Sequence, residues 1–158
     1  MCLRCAGWSD AELLAKSRHD IEVHGWGFVH VEGGESAAFT YTVGLTRFHG
    51  HPELLVSGLE AEPAAGLLDD LAEDVQGGLR LAEGDRLGEE CCPAHQLQLV
   101  EVEDPRRLAQ AQQIYASSAG LVPALQVVYT DDRGRWPWEP AWAAGHWCQP
   151  VFGRPQRP

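Results

Sequence analysis

Three short β-rich segments follow one another in the first third of the chain, before any regular alternation of strand and helix is established. Trp26 to Glu32 alternates, with Val29 and Val31 on one face and Phe28, His30 and Glu32 on the other, and Gly33-Gly34 then turns the chain. Ala38 to Leu45 is rich in β-branched and aromatic residues, and Glu53 to Val56 follows a Gly50-His51-Pro52 break. Segments so arranged predict an antiparallel meander. Helices flank it. Ser9 and Glu12 form an S-x-x-E capping box, and Leu14, Ser17, Ile21 and His24 recur at helical spacing up to Gly25. Pro63 stands where a first-turn proline is tolerated. Ala64, Leu67, Leu68, Leu71 and Val75 make one apolar stripe, which Gly77-Gly78 ends. The opposite face, with Asp69, Asp70, Glu73 and Asp74, reads as a solvated helix face.

The stretch from Arg80 to Pro93 gives no clear period. Beyond it, Leu97 to Glu103 and Ala124 to Thr130 read as strands, and Asp104-Pro105 starts a helix running to Tyr115. An Asp131-Asp132-Arg133-Gly134 turn leads into Trp136-Pro137-Trp138. With no strand–helix–strand rhythm, the pattern predicts an α+β fold: a mostly antiparallel sheet with helices packed on one side or one end. A small split-barrel core of the flavin-binding kind is compatible with the same order. No repeat or linker divides the chain, so residues 1–150 are expected to be one domain and 151–158 a flexible Pro-rich tail.

Twelve basic residues against twenty-three acidic ones give a net charge of -11, a field that repels nucleic acid and anionic lipid. No apolar run approaches the roughly 18–20 residues needed to span a bilayer, and the N-terminus has no secretion-signal pattern, so a cytoplasmic protein is expected. A chain of 158 residues removes roughly 70% of its unfolded surface from water, enough for a core without disulfides. Lys16 is the only lysine, Ile21 and Ile114 are the only isoleucines, and asparagine is absent. Such a bias follows GC-rich codons and points to a bacterial source. Oligomeric state stays open.

Several clusters could carry chemistry. The five cysteines, Cys2, Cys5, Cys91, Cys92 and Cys148, are expected to be reduced thiols. Cys2-x-x-Cys5 has the spacing for two thiolate ligands to one zinc or iron ion, with His24 a candidate third ligand. No second CxxC follows, and the bland alternative is a pair of small residues tucking the N-terminus down. His49-x-His51, followed by Glu53, would place its imidazoles on one face if extended, although Gly50 and Pro52 argue for a turn. His24, Tyr41, Thr42 and Glu53 lie near the ends of elements that should pack together, and they form either a polar ligand pocket or a satisfied core network. Trp136, Trp138, Trp142 and Trp147 crowd twelve residues, either as a stacking platform, Trp138 foremost, or as a C-terminal arm packed over the sheet. No phosphate loop, nucleophile elbow or dinucleotide fingerprint is present.

Taken in order, Met1-Cys2-Leu3-Arg4-Cys5, His24-Gly25-Trp26, Tyr41-Thr42-Val43-Gly44-Leu45, His51-Pro52-Glu53-Leu54, Trp136-Pro137-Trp138 and Gln149-Pro150 span nearly the whole chain. They resemble the bacterial family called domain of unknown function 4262, whose members begin M-C-x-x-C, carry H-G-W and Y-T-[VI]-G-L, and end near W-P-W and Q-P. The resemblance implies a fold and a bacterial source and brings no reaction or ligand with it. The functional expectation is therefore a module that binds a small molecule or a protein partner in a pocket between the early sheet and the Trp-rich segment. Two other readings stay open: a metal-dependent enzyme using Cys2, Cys5 and His24, and a flavin-binding split barrel.

Overall fold

A computed structural model describes residues 6–88, 96–142 and 148–155. The chain order is α1 (Asp10–His24), β1 (Gly27–Val31), β2 (Phe39–Val43), α2 (Leu45–His49), β3 (Glu53–Ser57), α3 (Ala61–Gln76), β4 (Arg86–Leu87), β5 (Leu97–Glu101), α4 (Ala109–Tyr115) and β6 (Ala124–Tyr129), with a 3-10 turn at Pro105–Arg107 before α4. Six strands form one sheet in the order β1-β2-β3-β6-β5-β4. The predicted meander is present: Tyr41 of β2 sits opposite both Val29 of β1 and Leu55 of β3 in antiparallel register. Only β3 and β6 run parallel, Glu53 facing Ala124. The fold is thus α+β with a mostly antiparallel sheet. That sheet is open, with β1 and β4 as its edges, so the barrel-like core compatible with the sequence does not form.

Helices cover both faces of the sheet. The α3 stripe of Ala64, Leu68, Leu71 and Val75 packs on Leu54, Val56, Leu97, Leu99, Leu125 and Val127. Leu68 and Leu71 are wholly buried, and each contributes about 1.5–3 kcal/mol by leaving water. On the other face, Ile21 of α1 and Ala111 of α4 meet Tyr41, Val43, Leu55 and Ala124. The capping box at Ser9 and Glu12 is made as read, and Gly25 closes α1 in the left-handed region. At the far end of β2, a Cβ on Gly44 would lie 2.6 Å from Ile21 Cγ2, so a glycine is needed for α1 to press against this corner.

The C-terminal segment is tied to the sheet by buried amides. Gln126 on β6 donates to Ser57 Oγ (3.1 Å) and to the Pro150 carbonyl (2.8 Å), and its Oε1 accepts from Phe152 N (2.7 Å). Gln149 bonds both the N–H and the carbonyl of Tyr129. Phe152 packs edge-on against Phe39 and beneath the Arg107 guanidinium. Residues 151–153, expected to trail as part of a flexible tail, are therefore docked. Two buried amides thus find their partners across the joint, Gln126 of β6 in this segment and Gln149 of this segment on β6.

Candidate functional site

Glu53 is the most fully engaged of the sequence candidates. Its side chain is wholly buried at the start of β3. Oε1 accepts from Thr42 Oγ1 (2.9 Å) and Leu45 N (3.1 Å), and Oε2 accepts from Thr46 N (3.0 Å) and Gly44 N (3.3 Å). Those three N–H groups open α2, whose N-cap position, Gly44, has no side chain to offer. A carboxylate from a neighbouring strand thus stands in for the missing cap and meets the positive end of the helix. Burial pushes its pKa up, while the bonds from Thr46, Thr42 and Leu45 pull it down. Thr42 completes the wiring by accepting from Leu54 N (2.9 Å).

The predicted convergence of His24, Tyr41 and Glu53 does not occur. The Tyr41 phenol oxygen accepts from Gln110 N at the start of α4 (3.1 Å), and burial raises its pKa. His24 is exposed at the end of α1. Thr42 and Glu53 are the pair that meets. Trp138 stacks flat on Trp136 with ring centroids 5.2 Å apart, and the pair covers Val100 and Val128 of β5 and β6. These strands lie three to four strand spacings from β1, roughly 14–19 Å. His24 lies beside Trp26 and Phe28 at the β1 edge, whereas Trp138 lies over β5 and β6.

The histidine pair also separates. His51 is buried, with Nδ1 2.7 Å from the Pro52 carbonyl and Nε2 accepting from Leu81 N (3.0 Å), so the neutral imidazole has both nitrogens engaged. His49 packs edge-on to Trp26. Cys2 and Cys5 lie outside the described residues. Among the described residues, no group of three or more His, Cys, Asp or Glu side chains could hold a metal ion, and no helix is long and apolar enough to cross a membrane.

A cleft opens to solvent at the β1 edge. A hollow of about 190 Å³ between α1, β1 and α4 is lined by Ser17, Asp20, Ile21, Gly27, Phe28 and Gln110, among others. A wider one of about 460 Å³ shares Asp20, Gly27 and Phe28 with it and adds His24, Trp26 and Asp69. Gly27 leaves the floor bare: a Cβ there would sit 3.1 Å from Ile21 Cγ1. Trp26 Nε1 donates to Asp69 Oδ1 (3.0 Å), which fixes both the indole and the carboxylate and bridges β1 to α3. Asp20 pairs with Lys16 one turn back, and that bond lowers its pKa. Phe28 is 38% exposed.

Of these residues only His24 was singled out from sequence as a ligand contact. Asp69 reads from the sequence as part of a solvated face, because nothing local marks it as the partner of an indole 43 positions away. Asp20, one turn before His24 on the same helix face, carried the signal that could have found it.

No curated protein and no solved structure matches the chain. One family model does. It spans residues 20–143, well over half of the sequence, and takes in the cleft residues Asp20, His24, Trp26, Phe28 and Asp69 together with Glu53 and Trp138, so the chain belongs to the family described as Domain of unknown function (DUF4262).

Proposed function

We propose that the protein is a binding module for a small organic cation with an apolar or aromatic body, held in the cleft over Gly27. One observation carries this reading: Asp69, with one carboxylate oxygen open, and the Lys16-paired Asp20 line the same opening as Trp26 and Phe28. Aromatic faces attract cations by about 0.5–2 kcal/mol, depending on how far the site is desolvated. Asp69 is oriented by the indole through one oxygen, and its other oxygen has no partner among the described residues. A net charge of -11 adds a long-range pull in the same direction. Compared with the sequence expectation, the early-sheet wall is kept, and the opposing walls become α1 and α3.

Isothermal titration with 2-phenylethylamine and with phenylacetate tests this, because the two share a ring and differ in charge. The amine should bind and the acid should not. Asp69→Asn and Phe28→Ala should each weaken amine binding by about tenfold, with little change in melting temperature for the exposed Phe28. Equal affinity for the two probes, or binding indifferent to both substitutions, would overturn the proposal.

A further inference from the structure

We propose that Arg18, Arg47, Phe48 and Tyr115 form a second ligand site, which takes a small organic oxyanion carried on a flat ring. None of the four lines the cleft over Gly27. In a chain with 23 acidic and 12 basic residues, an arginine would be expected to find a carboxylate. Arg47 has none among the described residues, and its guanidinium carbon lies 5.3 Å from the centroid of the Phe48 ring. Arg18 stands four residues before Glu22, the spacing of a helical ion pair, yet it turns toward α4. There it donates one N–H to the Ile114 carbonyl (3.2 Å) and lies 6.0 Å from the Tyr115 centroid. Its remaining N–H groups stay available.

The two rings meet edge to face at 6.4 Å, and Phe48, with the Arg47 guanidinium over its ring, is 37% exposed. Tyr115 supplies the second observation that points to a ligand. Its hydroxyl is buried and has no hydrogen-bond partner, although the residue as a whole is only half-buried. Burial pushes the phenol's pKa up, Glu22 and Glu53 push the same way, and Arg18 and Arg47 oppose them. The phenol is therefore a proton donor at neutral pH. Of the two acids, Glu53 has its oxygens filled by Thr42 and the backbone of α2, which leaves Glu22 as the only free negative charge of these four. An oxyanion at this surface would meet the two guanidiniums while its ring lies against Phe48, and the Tyr115 O–H, closed off from solvent in the free protein, would turn outward to join them.

Titration of the full chain with phenyl phosphate, and with benzyl alcohol as the uncharged ring without the anion, tests the site. Phenyl phosphate should bind. Arg47→Gln and Tyr115→Phe should each weaken it by about tenfold, and Glu22→Gln should tighten it. Tyr115→Phe should also melt no lower than the parent, since the hydroxyl makes no bond in the free protein. The proposal fails if phenyl phosphate does not bind, if benzyl alcohol binds as well, or if Tyr115→Phe leaves the phenyl phosphate affinity unchanged. It fails equally if Glu22→Gln weakens phenyl phosphate binding, which would mean that positive charge at this site does not hold the anion, or if Tyr115→Phe alone unfolds several degrees early.

Discussion

Replacing Glu53 with Gln keeps the size of the side chain and exchanges one acceptor oxygen for an NH2 group. Each carboxylate oxygen now receives two donors, Thr42 Oγ1 and Leu45 N on one side and Gly44 N and Thr46 N on the other. Whichever way the amide turns, its NH2 faces two N–H or O–H groups, and two hydrogen bonds to a charged acceptor are lost. At about 1.5–3 kcal/mol each, the gross loss is about 3–6 kcal/mol. Removing a buried charge recovers part of its desolvation cost, which leaves a net loss of about 3 kcal/mol. For a chain of this length, that corresponds to a fall in melting temperature of roughly 6–12 °C. Calorimetry paired with urea unfolding reads it directly, and Thr42→Val, which strips the amide of Leu54 as well as the carboxylate, should move stability in the same direction. A Glu53→Gln protein that melts within about 1 °C of the parent would refute the reasoning and return Glu53 to the list of ligand-binding groups.

Leu68→Ala or Leu71→Ala should cost about 2–5 kcal/mol in urea unfolding, whereas charge reversal at the exposed Asp70 should change stability by less than about 0.5 kcal/mol. Burial holds the His51 imidazole neutral and lowers its pKa from the ordinary 6.5. The unfolded chain therefore takes up this proton first, and the stability present above pH 6.5 is lost as pH falls toward the folded value. Between about pH 7.5 and 5.5 the parent should lose more stability than His51→Gln does, and equal losses would remove His51 as the cause. Gly58→Ala would set a Cβ 2.2 Å from the Cys148 carbonyl at a φ of +81°, so residues 148–153 should become sensitive to protease; unchanged protection would show that the close approach is dispensable.

The elements legible in the sequence are those whose determinants lie within a few residues of themselves. Ser9, Glu12 and Gly25 mark both ends of α1, and the stripe from Ala64 to Val75 names the buried face of α3. Helix α2 was invisible because its five residues lie between glycines, and the group that caps it sits eight residues downstream. The two-residue strand β4 exists only through its pairing with β5. The candidate site failed for the same reason. Thr42 and Glu53 could be paired from neighbouring strands, but the bonds from Trp26 to Asp69 and from Gln126 to Pro150 depend on how layers stack, and no period in the sequence encodes that.

The position of β6 also has a consequence for how the protein is made. This strand, the last of the six in the chain, lies between β3 and β5, and it alone joins the early meander to the β4–β5 pair. During synthesis the N-terminal half must therefore emerge with the inner edge of β3 unpaired, and it must wait for some seventy residues before Ala124 to Tyr129 arrive to close it. An open edge of that kind recruits other chains. Fragments ending before Ala124 are expected to aggregate, and the rate at which the ribosome delivers the second half should set the yield of folded protein.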